Sequence, residues 1–476
     1  MPTAQDLPTV THPGVWDLIE LANGEDFHRV EAMVKQVRGC TSPIRLAGST
    51  TTLDANTGAV LHSYSTTEEP TGRILIACNN RRATRCPSCS RLYAGDTYQL
   101  IKSGLVGGKN TPATVGDHPR VFVTLTAPSF GPVHGTRLPH GPGCRCGTTH
   151  PDDDPRIGTP LNPATYDYTG AVLFNAHAGE LWGRFTTYLR RNVARLLRRT
   201  QKETAALVRV SFAKVAEYQD RGLIHYHAII RFDGPEGSTE PPPSWATARL
   251  LTKAARLAAR HVTLDVSFDK KELTLSWGRQ LDIRQITPDD GTDSLISEAV
   301  AGYIAKYATK GAMDTGILDR PLRCRECHGS GNHLANSGSS QPCITCAGSG
   351  RDPSLTNAPV SSHIHQMIRT CWDLGTLPEL AHLNLHKWAH MLGFRGHFST
   401  KSRRYSTTLG ALREERRTWQ RNQHNRPETQ EETTLVLSDW IFLGIGYRPG
   451  EELLAAQVRH DRSVALALRH ELRGQI

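Results

Sequence analysis

The sequence predicts an α+β fold with a central antiparallel sheet and flanking helices. Three observations carry this. A β-rich run stands at Val121–Thr126. Two long alternating segments, Leu207–Glu217 and Leu223–Phe232, are joined by the polar turn Gln219–Asp220–Arg221–Gly222. Helix-period segments fall between and after them, and the order β–α–β–β–α–β–α reads as one sheet with helices on one face.

Each element follows from local pattern. Val15 to Val37 has weak helical spacing interrupted at Gly24, and Arg73–Ala77 has the composition of a short strand. Cys78, Cys86 and Cys89 precede RLYAGDTYQLIKSGL, a thiolate knuckle followed by a helix. After Val121–Thr126, residues 127–165 are dense in Gly, Pro, His and Asp, which marks a long loop or small insertion. From Gly179 to Arg199 apolar residues recur at Leu181, Phe185, Tyr188, Leu189, Val193 and Leu196 while arginines fill the other faces, as in an amphipathic basic helix. A Pro-rich linker follows the strand pair. A helix near 245–260, a strand-like Leu273–Ile286 and a helix from near Asp293 through Lys310 come next. Residues 320–352 form a Gly/Cys insertion, and 353–476 read as mainly helical around a basic centre. The expected organisation is 1–115, an N-terminal region with a cysteine zinc site; 116–312, the sheet domain with its insertion at 133–165; 313–352, a four-cysteine zinc knuckle; and 353–476, a basic DNA-binding region.

Composition narrows the function. The chain has 476 residues, Lys plus Arg exceed Asp plus Glu by 56 to 46, and the mean hydropathy is −0.42. Such a basic balance favours polyanionic partners. There is no run of about 18 apolar residues, and the start MPTAQDLPTVTHPG lacks the basic-then-apolar pattern of a signal peptide. The expectation is a cytoplasmic protein that does not span a membrane. The eleven cysteines come largely as C-x-x-C pairs, which suits metal-bound thiolates in a reducing compartment better than disulfides.

The central chemical signal is Leu223-Ile224-His225-Tyr226-His227-Ala228-Ile229-Ile230. On a strand His225 and His227 share one face and Ile224, Tyr226, Ala228, Ile230 and Phe232 the other. The apolar face can pack on helices while two imidazoles at an open cleft chelate one divalent ion. The second signal is Gly302-Tyr303-Ile304-Ala305-Lys306-Tyr307-Ala308-Thr309-Lys310, where a helix aligns Tyr303 with Tyr307 and sets Lys306 and Lys310 in an adjacent basic stripe. A phenol attacking a phosphodiester gives a covalent phosphotyrosine, and a nearby cation eases phenolate formation.

His-apolar-His on a strand, Tyr-x-x-Lys-Tyr-x-x-Lys downstream and Phe122-Val123-Thr124-Leu125-Thr126 upstream resemble the three ordered motifs of HUH endonucleases. More narrowly the chain resembles rolling-circle replication initiators of actinobacterial plasmids and integrative elements, of the two-tyrosine type. The motifs span 121–310; GFRGHFSTKSRRYSTTLGALR resembles a segment of the same group less sharply. The resemblance implies that His225 and His227 hold Mg²⁺ or Mn²⁺ with a polar third ligand from the neighbouring strand, for which Glu217 is the candidate and Gln219 the fallback. It implies that Tyr307 makes the first attack, leaving a 5′-phosphotyrosine and a 3′-OH that primes a polymerase, and that Tyr303 acts at termination. Some plasmid initiators carry a glutamate one helical turn before the nucleophile; this chain has Tyr303 there. Host helicase and DNA polymerase are the implied partners, besides single-stranded and origin DNA.

Cys324, Cys327, Cys343 and Cys346 form two C-x-x-C pairs with 15 residues between the inner cysteines, a spacing that closes a tetrahedral Zn²⁺ site. They resemble C-x-x-C-x-G-x-G repeats of the Hsp40 cysteine-rich domain, but no J-domain His-Pro-Asp accompanies them, so a zinc-stabilised insertion is expected. Cys78, Cys86 and Cys89 want a fourth ligand, for which Cys40 is available. Cys144, Cys146 and His150 could close another site with His134 or His140. The run GlyLeuValGlyGlyLysAsnThr at 104–111 is not a phosphate loop, because Asn110 stands where a Ser or Thr must meet Mg²⁺.

From Arg395 to Arg421, eight Lys or Arg against two Glu give a net +6. Arg395, Lys401, Arg403, Arg404 and Arg413, with Arg190 and Arg191 of the arginine-rich helix, are the expected DNA contacts. Phe394, Phe398, Tyr405 and Trp419 stand among them as possible stacking rings. The expected function is nicking and rejoining one strand at a replication origin. A conjugative relaxase or HUH transposase, and a non-catalytic zinc-bearing DNA-binding regulator, are the alternatives.

Overall fold

The computed structural model describes residues 13–138, 141–287, 297–309, 320–334, 340–357, 360–423 and 434–474. It mixes helices with antiparallel sheets and divides into two compact units, one of Met1–Asp96 with Gly410–Ile476 and one of Thr97–Leu409. Among the described residues no helix is long and apolar enough to cross a membrane.

The larger unit is built on a five-stranded sheet. Its elements are β1 (Arg120–Leu125), α1 (Tyr168–Leu196), β2 (Arg209–Tyr218), β3 (Ile224–Asp233), α2 (Ala248–His261), β4 (Leu281–Gln285), α3 (Ser297–Thr309), α4 (Ser362–Gly375) and β5 (Ser399–Lys401). The strand order is β4-β1-β3-β2-β5, antiparallel throughout. The expected strand Leu273–Ile286 is two strands in two sheets. Lys271–Ser276 pairs with Thr263–Phe268 in a separate hairpin, and β4 joins the main sheet beside β1.

Alternation along β1, β2 and β3 builds two cores. Val121, Val123 and Leu125 with Ile224, Tyr226, Ala228, Ile230 and Phe232 bury one face under α1, α2 and α4. The opposite residues Phe122, Ala213, Val215 and Ile229 meet Val300, Ala301 and Ile304 of α3, Tyr405, and Ile101 and Leu105 of the helix Pro87–Val106. Helices therefore cover both faces, not one. The second layer escaped the sequence pattern because His225, His227 and Arg231 break the apolar alternation on that face.

A buried polar lock ties this second layer down. Arg231, with no exposed surface, makes a two-pronged ion pair with Asp233 and donates to the carbonyls of Gly104 and Tyr405; His118 Nδ1 lies 2.7 Å from Asp233. Gly104 is required here: a Cβ would sit 2.2 Å from the Tyr405 ring.

In the other unit the strand Thr434–Ile445 pairs along the whole of Ile44–Asp54, from Ile44 opposite Ile445 to Asp54 opposite Thr434. Val60–Ser65 and Ile74–Ile76 also pair with Ile44–Asp54. The region read as mainly helical thus contributes a twelve-residue strand.

Candidate metal and nucleophile site

The register of one hairpin assembles the site. β2 and β3 pair so that Glu217 faces His225 directly, with Val215 opposite His227. Residues eight apart in sequence become cross-strand neighbours on one face. The connecting turn is held from two sides. Asn175, fully buried on α1, donates to the carbonyls of Gly222 and Leu392 and accepts from the Ile224 amide, while the Arg221 guanidinium reaches the carbonyls of Ala127 and Pro128. Gly222 takes φ of +71°, which the turn requires and glycine supplies without strain. Gln219 accepts from Arg221 at this turn.

Glu217 Oε2 lies 2.9 Å from His225 Nε2 and 3.2 Å from His227 Nε2, and the two imidazole nitrogens are 3.1 Å apart. One carboxylate and two imidazoles converge on a common point, a donor set that suits a divalent ion such as Mn²⁺ or Mg²⁺. Burial would raise the Glu217 carboxyl, but hydrogen bonds and charge from the two histidines outweigh it and bring it down to about 2. Burial lowers His227, disfavouring its charged form. Glu217 and His225 keep 18% and 16% of their side chains exposed against 6% for His227, so the constellation is open on one side.

Helix α3 brings a phenol to that point. Ser297, at its start, accepts from Arg120 of β1, and Val300, Ala301 and Ile304 seat it on the sheet. Tyr303 is then turned toward the histidines, its hydroxyl 3.0 Å from His227 Nε2, its ring edge-on to both His227 and Phe122. Phe122 stacks on His227 at 5.6 Å and 18°, and Thr124 Oγ1 lies 3.1 Å from His227 Nδ1. Lys306 is exposed one turn along. The side chain of Tyr307 and all of Lys310 lie outside the described residues.

Three further clusters could hold zinc. In the first, Cys324 and Cys343 are 3.9 Å apart and Cys327 and Cys346 3.7 Å, near the edge of about 3.8 Å that a tetrahedron with Zn–S of about 2.3 Å requires and far from an S–S bond. The Gly331 and Gly350 amides donate to Cys327 and Cys346. Both glycines have positive φ and pack backbone against backbone, a Cβ on Gly331 meeting Gly348 O at 2.3 Å. In the second, Cys40 joins Cys78, Cys86 and Cys89, with sulfur separations of 3.8 and 3.7 Å. In the third, His134 joins Cys144, Cys146 and His150; His140 lies outside the described residues. His150 turns its other nitrogen to Asp154 at 2.8 Å, as metal-bound imidazoles do. Cys371 is buried and belongs to none of these.

The basic residues are scattered. Arg190 and Arg191 are exposed on α1, which covers the sheet face opposite the triad. Arg395, Arg403, Arg404 and Arg413 are exposed, with Arg404 paired to Glu236. Lys401 points its ammonium at the carbonyls of Ser402, Arg403 and Ser406. Phe394, Phe398 and Tyr405 are core residues, unavailable for stacking, because this stretch supplies β5 and sends Phe394 and Phe398 into the core on one sheet face and Tyr405 into that on the other; Trp419 is exposed. Asn175 and the Arg231–Asp233–His118 lock went unnoticed in the sequence. A polar residue within the apolar run AVLFNAHA, which can be buried only if satisfied, was the available signal for the first.

Residues 26–460 match the family RepSA, replication initiator protein, pSAM2. A replication initiator protein of Streptomyces ambofaciens is 47% identical over 457 residues, which cover 94% of this chain and 92% of that protein. No solved structure matches the chain.

Proposed function

Since this chain belongs to the RepSA family of replication initiator proteins, we propose that it starts replication by cutting one strand of origin DNA with a tyrosine, in an HUH-type domain whose metal centre is Glu217, His225 and His227. The observation that carries the reading is the phenol of Tyr303 at 3.0 Å from His227, beside three convergent donors. A divalent ion held by the three would polarise the scissile phosphate and neutralise charge developing on it.

The chain's own groups do the rest. The Tyr303 oxygen attacks phosphorus as its proton leaves, the P–O3′ bond breaks, the 3′ oxygen takes up a proton, and the 5′ phosphate stays on tyrosine. Lys306, three residues on, favours the phenolate. The sequence reading gives this first attack to Tyr307; the contact with His227 favours Tyr303, leaving Tyr307 for the second cut. The product 3′-OH would prime host polymerase, with a helicase supplied by the host, and the exposed arginines Arg395, Arg403, Arg404, Arg413, Arg190 and Arg191 would meet origin phosphates.

The test is cleavage of labelled single-stranded origin DNA by the full chain with Mn²⁺, with and without His227→Ala. Cleavage by the wild type that vanishes in the variant supports the reading. Tight binding of origin DNA without cleavage would instead favour a zinc-bearing DNA-binding regulator, and transfer between two origins without support of replication would favour a relaxase or transposase.

A further inference from the structure

Thr124 is across the strand pair from His227, and its hydroxyl oxygen is 3.1 Å from Nδ1, the nitrogen turned away from Glu217, His225 and Tyr303. A neutral imidazole has a single ring proton. With the proton on Nδ1, that nitrogen donates to Thr124 Oγ1 and the Nε2 lone pair is directed at the point where Glu217 and His225 converge. With the proton on Nε2, His227 presents a hydrogen there and cannot ligate. The ring is 6% exposed and held face-on by Phe122, so its orientation is fixed by the face and by the Nδ1 edge together.

We propose that Thr124 is a positioning residue for the metal centre: by accepting from His227 Nδ1 it holds the ring and its tautomer so that Nε2 faces the ion. The inference rests on the reading of Glu217, His225 and His227 as a metal centre. Thr124 occupies the middle of the β-rich run whose role the sequence left unassigned, and this contact gives that run a task in the chemistry. Outer partners of metal-bound histidines typically matter by about 10–100-fold in metal affinity.

The experiment is a Mn²⁺ titration of the full chain without DNA, followed by electron paramagnetic resonance, on wild type, Thr124→Val, Thr124→Ser and Glu217→Ala, with zinc content and melting temperature measured for each. The proposal expects Thr124→Val to bind Mn²⁺ roughly 10–100-fold more weakly. It expects Thr124→Ser to stay within a few-fold of wild type, with zinc and melting temperature held. Should Thr124→Val fail to fold, Thr124→Ala replaces it. Wild-type affinity in Thr124→Val, alongside weakened binding in Glu217→Ala, overturns the role of Thr124 and leaves the metal centre standing. Wild-type affinity in Glu217→Ala, or no Mn²⁺ binding by the wild type, overturns the metal centre and this inference with it.

Discussion

On one face of the β1–β3–β2 sheet, Ile224, Tyr226, Ala228, Ile230 and Phe232 lie sealed under α1, α2 and α4, with Lys214 the one buried cation among the described residues of that layer. On the other, the same strands present Thr124, Glu217, His225, His227, Arg231 and Asp233, interleaved with a smaller apolar set. The alternation is the same, yet one face is almost wholly apolar and the other pairs His225 and His227 with Glu217 and Arg231 with Asp233. The metal-competent triad is on the polar face, and solvent reaches Glu217 and His225.

The largest effect expected from breaking that difference is at the triad. Glu217→Ala removes the only carboxylate among the three donors, and strand cleavage in Mn²⁺ should fall on the order of 10³-fold, since a metal's charge stabilisation is worth several kcal/mol. Cleavage rates under single-turnover conditions check it. Next is the buried lock. Arg231→Met strips buried Asp233 of its two-pronged guanidinium partner and should cost about 3–5 kcal/mol, read as a lower urea midpoint. The comparable cut on the apolar face, Ile230→Val, should cost only about 1 kcal/mol.

Lys214 sharpens the comparison by pH. Burial lowers its ammonium from 10.5 to about 7, over the Tyr226 ring at 3.9 Å and donating to His397 O. Between those values the unfolded chain binds more protons than the folded one, so raising the pH favours the fold and stability climbs from about pH 7 toward pH 10. Urea midpoints across that range should rise in the wild type and rise less in Lys214→Met. The smallest effect is expected at Phe122→Leu, which gives up ring contacts with His227 and Tyr303 worth about 1 kcal/mol and should slow cleavage less than tenfold.

Local patterns disclosed much of this. Strand alternation placed His225 and His227 on one side; Glu217 was named through the family resemblance, and the hairpin register brings it opposite His225. Cysteine spacing picked out Cys324, Cys327, Cys343 and Cys346, and the surplus of three thiols at Cys78, Cys86 and Cys89 led to Cys40. What local pattern could not carry was pairing over long separations. Thr434–Ile445 finds Ile44–Asp54 nearly 400 residues away, and the charged stretch around Arg395–Arg404 hides Phe394, Phe398 and Tyr405, because β5 docks that stretch on the sheet edge and these rings turn into the core. Composition describes such a segment as a surface; only the fold shows which of its residues face inward.

On the proposed reading, a tyrosine of α3 becomes joined to DNA at the triad. Its most direct test is to quench the full chain during cleavage of single-stranded origin DNA in Mn²⁺, isolate the protein–DNA adduct on a denaturing gel and map the modified peptide. A phosphodiester on Tyr303, lost in Tyr303→Phe and absent without metal, is the expected result; cleavage that leaves no adduct on Tyr303 or Tyr307 would refute the tyrosine mechanism.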